Sequence, residues 1–320
     1  MIRIAYFGSP AFSAELLRKL VLASEHGKGF LIDLVVCPPD KPAGRGLALQ
    51  KSPTKQAAEE LHIAIFDVSA KQNSQQLINI LSEKKIDICL VFAYGEIIDS
   101  AVLGAIKGGF INVHPSLLPR FRGPNPVGMP LLLDEKETGV TLIQMDEHMD
   151  TGNILFQKKF LIPTDATPQS VLTQAVTIAF EEIVKLFGSD IKISSKPQNS
   201  SQATYTKLLK RDDGCIPADI LSEGLNLGYV STSNLSVYTK YLIRNRLTTS
   251  QIPRHVSLYT FWKALQPWPG VWTIISHDGV EKRLKILTVD SSNQMKILKV
   301  QLEGKQPISW DEFTLNYSLQ

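Results

Sequence analysis

Ile2-Arg3-Ile4-Ala5-Tyr6-Phe7-Gly8-Ser9-Pro10-Ala11-Phe12 opens the chain, and its reading decides the fold. Residues 2–7 are an apolar run that stops at Gly8-Ser9-Pro10. Phe12, Leu16, Leu17 and Leu20 then recur at helical spacing. Strand, turn and helix in that order begin a doubly wound α/β sheet. The turn lacks the Gly-x-Gly-x-x-Gly spacing that lets a pyrophosphate approach the backbone, which weighs against a dinucleotide-dependent oxidoreductase.

The pattern repeats outward from this start. Residues 31–36, 63–68 and 86–92 read as strands, with helices expected over 53–61, 72–83 and 100–106. Residues 86–92 are nearly all apolar, as in a central parallel strand buried on both faces. The second strand runs into Pro38-Pro39-Asp40-Lys41-Pro42-Ala43-Gly44-Arg45-Gly46. Such a density of proline and glycine excludes helix and central strand. It leaves a loop at the carboxyl end of a strand, where α/β sheets place ligands. Arg45, between two glycines, is either part of a plain connector or a guanidinium fork held out toward a phosphate.

Phe110-Ile111-Asn112-Val113-His114-Pro115-Ser116-Leu117-Leu118-Pro119 carries the chemistry. Residues 110–114 read as a short strand after Gly108-Gly109, so Asn112 and His114 point to one face. Pro115 keeps His114 extended. These two side chains either tie down a strand end or act together with a later acid. Asp150, in the turn Asp150-Thr151-Gly152, is that acid. An amide, an imidazole and a carboxylate brought together can polarise a carbonyl, hold an oxyanion and move a proton. Strands over 139–145 and 154–162 and a long amphipathic helix over 169–187 complete this half.

The second half reads differently. Residues 189–204 are poor in large apolar side chains and suggest a linker. Strands expected over 271–276, 284–289, 295–300 and 309–315 stand at hairpin spacing, with turns at His277-Asp278-Gly279 and Asp290-Ser291-Ser292-Asn293. That pattern suggests a small β-barrel of the oligonucleotide-binding type. Residues 215–262 show no decisive pattern. The domain division expected is therefore 1–188, a linker over 189–204, and 205–320. Residues 1–190 hold 18 basic and 21 acidic side chains, a net of −3, whereas residues 191–320 hold 16 and 10, a net of +6. The basic second half points to a polyanion partner.

Hydrophobic content of 43% and charged content of 20% fit a soluble globular protein with ample core. No apolar run reaches the ~18 residues of a membrane span. The first residues go straight into a strand without a signal-peptide layout. Cys37, Cys89 and Cys215 are scattered, which excludes a disulfide framework and gives no metal-ligand spacing. A reducing cytoplasm and no metal are the expectation.

Asn112 to Pro119 with the later Asp150-Thr151-Gly152 resembles the folate-dependent formyltransferases, over residues 1–187. The segment from Pro39 to Gly46, together with Ala203-Thr204-Tyr205-Thr206-Lys207, Asp213-Gly214 and Pro267-Trp268-Pro269-Gly270, is similar to the members of that family that act on aminoacylated tRNA. The resemblance implies a Rossmann-like catalytic domain and a C-terminal tRNA-binding domain. It implies 10-formyltetrahydrofolate as co-substrate and initiator methionyl-tRNA as partner, in a monomer with no stable protein partner. By the same resemblance Asn112, His114 and Asp150 are catalytic. Ser116, Leu117, Leu118, Pro119, Tyr94 and Gly95 line the folate site, and Lys41, Arg45 and Lys51 meet tRNA. Arg120 and Arg122 are candidates for the folate tail or the RNA backbone, or else for local salt bridges; His148 is either a second titrating group near the folate or a surface loop residue. An amino-sugar nucleotide or another small amine is the alternative acceptor. A tRNA-binding module with an inert catalytic half is a second alternative.

Overall fold

The computed structural model describes residues 1–43, 48–67, 74–188, 194–245, 249–293 and 295–319. These divide into two compact units.

The first unit comprises Met1–Arg120, Gly139–Phe160 and Leu172–Ala203. Its elements run β1 (Ile2–Gly8), α1 (Ala11–Glu25), β2 (Phe30–Cys37), β3 (Lys41–Ala43), β4 (Ala48–Gln50), α2 (Pro53–Glu60), β5 (Ile65–Asp67), α3 (Ser74–Glu83), β6 (Ile88–Phe92), α4 (Ser100–Ala105) and β7 (Phe110–His114). After α5 (Gly128–Leu132), which belongs to the second unit, come β8 (Glu137–Gln144), β9 (Ile154–Leu161) and α6 (Pro168–Gly188). Seven strands form one sheet in the order β5-β2-β1-β6-β7-β8-β9. The pairs from β5 to β7 are parallel, and β8 runs antiparallel to β7. The doubly wound, mostly parallel sheet expected from the opening residues is therefore the observed architecture.

Alternation along β1 explains the layering. Ile4 and Tyr6 join one buried cluster with Leu16, Leu17 and Leu20 of α1 and Ala175, Ala179 and Ile183 of α6. Ala5 and Phe7 join another with Leu77 and Leu81 of α3 and Val102 of α4. Successive side chains of a strand face opposite ways, so a wholly apolar strand needs helices on both sides. At the turn out of β1, a Cβ on Gly8 would stand 2.0 Å from Ser13 Oγ and 2.9 Å from Tyr6 Cε1, so a side chain there would push Ser13 aside.

The second unit comprises Phe121–Thr138, Leu161–Val171 and Thr204–Gln320. Residues 215–262, undecided by pattern, contain α7 (Ala218–Leu227), β10 (Val230–Ser231), α8 (Ser236–Asn245), β11 (His255–Val256) and α9 (Leu258–Ala264). Then follow β12 (Val271–His277), β13 (Val280–Val289), β14 (Ile297–Leu302), β15 (Ile308–Ser309) and α10 (Trp310–Asn316). The last four strands form a sheet in sequence order, each neighbouring pair antiparallel.

The strand expected over 309–315 is a correction: only Ile308–Ser309 pair, and the rest is helix α10. Ser309 Oγ accepts a hydrogen bond from the Glu312 backbone N–H at 3.1 Å, with Asp311 and Glu312 in the first turn. This N-terminal cap, Ser-x-x-Glu, outweighs the strand preference of Phe313 and Thr314. The segments from before residue 204 are held in this unit by backbone pairing and two polar anchors. Arg122 N–H donates to Thr204 O at 2.9 Å, and Thr206 N–H donates to Arg122 O at 2.7 Å. Tyr238 Oη donates to Leu132 O at 2.6 Å, and Lys263 Nζ donates to Thr164 O.

Candidate active site

Asn112 and His114 stand on β7, whose parallel pairing with β6 and antiparallel pairing with β8 hold it near the middle of the sheet. Asn112 is half-buried and His114 is buried. His114 lies opposite Thr141 and Asn112 opposite Ile143. β8 therefore ends beside the start of β7, and the chain must turn back to bring any later residue to the carboxyl end.

The loop 146–153 makes that return. Asp146 Oδ1 accepts hydrogen bonds from the His148 backbone N–H at 3.0 Å and from Thr151 Oγ1 at 2.5 Å, which folds the loop on itself. Gly152 presses against β8, where a Cβ would lie 1.7 Å from Gln144 O; only glycine fits. Gln144 N–H donates to Asn153 O at 2.9 Å. Asp150 takes the left-handed conformation, φ 56°, which aspartate tolerates better than most residues. Gln198 Nε2 then donates to the carbonyls of both Asp150 and Gly152, each at 2.8 Å.

The outcome is a polar trio. Asp150 Oδ1 accepts from Asn112 Nδ2 at 3.3 Å and lies 3.5 Å from His114 Nδ1. The His114 and Asp150 side chains are 5% and 11% exposed, so their electrostatic interaction is little screened. A carboxylate at Nδ1 orients the ring and selects a proton on that nitrogen. Nε2 is the nitrogen directed away from the acid. With a proton on Nε2 as well, an imidazole held in this way, beside a primary amide, can donate to a developing oxyanion, while the acid receives a proton.

The segment after β7 is stitched to its neighbours. Thr141 Oγ1 donates to Ser116 O at 2.6 Å and accepts from Leu118 N–H at 3.3 Å and from Gln157 Nε2 at 2.9 Å. Gln157 Nε2 also donates to Leu118 O at 2.9 Å. Ser116 is fully buried, its hydroxyl donating to Arg120 O at 2.8 Å; Leu118 is buried too, while Leu117 and Pro119 are half-buried. Ser116 and Leu118 thus shape this turn through packing and backbone.

Tyr94 is buried and meets the Phe7 ring edge-on at 5.4 Å; burial raises its phenol above the usual range. Gly95 follows it in a left-handed turn, φ 88°, beyond the Val91–Asn112 pairing of β6 and β7. Lys41 is exposed and pairs with Glu96 at 3.1 Å; Lys51 pairs with Glu59 at 2.8 Å. Arg45 lies outside the described residues. His148 is exposed. Arg122 is buried inside the second unit, with Nη1 donating to Tyr205 Oη at 3.1 Å and Cζ 5.8 Å over that ring, so its guanidinium serves packing there.

No sequence pattern singles out Gln198, Thr141 or Gln157. Gln198 sits in a polar stretch whose composition suggests a linker, yet Lys196 pairs with Ile154 of β9. Thr141 and Gln157 look like ordinary strand residues, and only β7–β8 pairing shows what they hold. Among the described residues no group of three or more His, Cys, Asp or Glu side chains could hold a metal. Among them also, no helix is long and apolar enough to cross a membrane.

Comparison with known proteins adds to this geometry. A family model described as formyl transferase matches residues 2–184. The methionyl-tRNA formyltransferase of Chloroflexus aggregans is 36% identical over 321 residues, spanning 96% of this chain and 95% of its own. That of Roseiflexus sp. (strain RS-1) is 38% identical over 217 residues, spanning 67% of this chain and 65% of its own. A sugar N-formyltransferase from a Shewanella species shares the fold at 16% identity, with a TM-score of 0.54 over 88% of this chain and 95% of that one.

Proposed function

This chain belongs to the formyl transferase family, and we propose that it transfers the formyl group of 10-formyltetrahydrofolate to the α-amine of methionine esterified to initiator tRNA, for translation initiation. The observation that carries the chemistry is the reach of one Asp150 oxygen to both Asn112 and His114. The near full-length similarity to the Chloroflexus aggregans protein supports tRNA as the acceptor.

In this reading the amine lone pair attacks the formyl carbon and the carbonyl electrons move onto oxygen. Asn112 Nδ2 carries two hydrogens; one is addressed to Asp150 and the other donates to the oxyanion. His114 Nε2 supplies the second hydrogen bond, which requires a proton on both ring nitrogens. Asp150, directly or through a water, takes the proton shed by the attacking nitrogen. Collapse re-forms the carbonyl and expels the folate nitrogen, which takes the proton that Asp150 received. Each oxyanion donor is worth about 3–4 kcal/mol of barrier. Folate rests against the turn of Ser116, Leu117, Leu118 and Pro119 and the Tyr94-Gly95 edge. Lys41, Arg45 and Lys51 meet the RNA.

Residues 1–188 serve as the catalytic domain, 189–204 as the connection, and 205–320 as the tRNA-binding domain. The protein acts in the cytoplasm as a monomer.

Incubation with 10-formyltetrahydrofolate and methionyl initiator tRNA tests the proposal. Blocked amino ends on the tRNA-borne methionine are expected, and tRNA affinity falls steeply as salt rises because phosphate contacts release counterions. Formylation of an amino-sugar nucleotide, with methionyl-tRNA untouched, overturns it.

A further inference from the structure

Among the described residues, β3 and β4 pair antiparallel at three positions, Lys41 with Gln50, Pro42 with Leu49 and Ala43 with Ala48. A two-stranded ribbon of this length does not hold its shape alone in water. One residue meets both of its arms at the root, one through its side chain and the other through its backbone. Lys55 is the third residue of α2, and its backbone N–H donates to Ser52 Oγ at 3.2 Å, just after Lys51. Its Nζ donates to Asp40 Oδ1 at 2.8 Å, just before Lys41. The same Nζ donates to Asp67 Oδ2 at 2.5 Å, at the end of β5. The hairpin is thereby clipped to the main sheet.

Lys55 stands where local preference opposes it. The first turn of a helix disfavours a cation, and burial disfavours any charge. Its side chain is only 12% exposed. Burial by itself lowers the ammonium pKa, but the hydrogen bonds to Asp40 and Asp67 outweigh that and raise it. A residue kept against local preference and compensated by two carboxylates marks a position held for another purpose. Lys41 and Lys51 flank the clip, and each is paired with an exposed carboxylate, an interaction of little strength.

We infer that Lys55 is a positioning residue for RNA: its clip sets the hairpin root so that Lys41 and Lys51 are presented to phosphates at fixed spacing. The inference rests on the proposed tRNA acceptor. A preset pair of cations saves the cost of ordering the hairpin on binding, so its loss appears in KM and leaves the chemical step alone.

Lys55→Met, Lys55→Arg and Asp40→Asn test it, with two readouts. Deuterium exchange is followed at the β3 and β4 amides, and steady-state kinetics are measured with methionyl-tRNA and 10-formyltetrahydrofolate. Lys55→Met and Asp40→Asn are expected to speed exchange of those amides about tenfold. They raise KM for the tRNA about fivefold, with kcat and the folate KM within about twofold of wild type. Lys55→Arg restores both readouts. Should Lys55→Met fail to fold, Asp40→Asn decides, because it leaves the Lys55–Asp67 pair in place. Unchanged hairpin exchange, or faster exchange with unchanged tRNA KM, overturns the inference. A wild-type protein inert toward methionyl-tRNA defeats the functional proposal instead; the exchange data still decide whether Lys55 holds the hairpin.

Discussion

Asn112 and Asp150 are separated by 38 positions in the chain, yet the amide nitrogen of one lies 3.3 Å from a carboxylate oxygen of the other. The same oxygen is 3.5 Å from His114 Nδ1. Asp150→Asn keeps the shape and the left-handed backbone, which asparagine also tolerates, and removes the charge. Single-turnover formyl transfer is expected to slow about 100-fold or more. Thermal denaturation shows little change. A turnover rate like that of wild type rejects Asp150 as the proton acceptor.

Gln198 fixes the backbone beneath that acid through the carbonyls of Asp150 and Gly152. Truncation in Gln198→Ala leaves both carbonyls without that donor, at a cost of about 1–3 kcal/mol. Loss of activity at saturating substrate, about tenfold, is expected because a small displacement of a catalytic group is costly. An undiminished kcat denies Gln198 this role.

Thr141 joins the turn after β7 to β8 and β9 through three hydrogen bonds. Thr141→Val preserves volume and strands Ser116 O and Leu118 N–H, for an expected loss of about 1–3 kcal/mol of stability. The denaturant midpoint moves down and the folate KM moves up, whereas Thr141→Ser keeps both near wild type. Equal behaviour of the valine and serine variants dismisses the hydroxyl.

Cys37 is fully buried at the end of β2, and burial pushes its thiol up from 9.0 to about 11, with the Ser52 hydroxyl opposing. Raised in the fold, it contributes stability in full below pH 9 and loses it as pH rises through 11. Between those limits the unfolded chain has shed a proton that the native chain keeps. Stability should then fall by about 1.4 kcal/mol per pH unit from this group. Urea melts across that range are expected to show a shallower alkaline decline in Cys37→Ala. At pH 8 the native thiol resists alkylation; rapid labelling contradicts its burial.

Much of the first unit was legible from local pattern. Residues 2–7, 31–36 and 86–92, each apolar but for one charged residue, announce strands because a strand covered on both faces must be largely apolar. The helix over Pro168–Gly188 shows its apolar stripe in the same way. Ser309 shows where such reading fails. Its cap holds residues that favour strands by side-chain type in helix α10, and the Ser-x-x-Glu spacing was the available signal.

The residues alone determined the sheet-and-helix alternation, the shared face of Asn112 and His114, and the need for a turn at Asp150-Thr151-Gly152, because each depends on neighbours within a few positions. The tertiary structure decided which acid reaches the imidazole, that Gln198 supports it, and that Lys55 meets Asp40 and Asp67 together. Those outcomes depend on the antiparallel return of β8, on contact between Gly152 and the Gln144 carbonyl, and on the meeting of Asp40 with Asp67 at one ammonium. No short-range periodicity encodes such meetings, since they are set by packing between different elements.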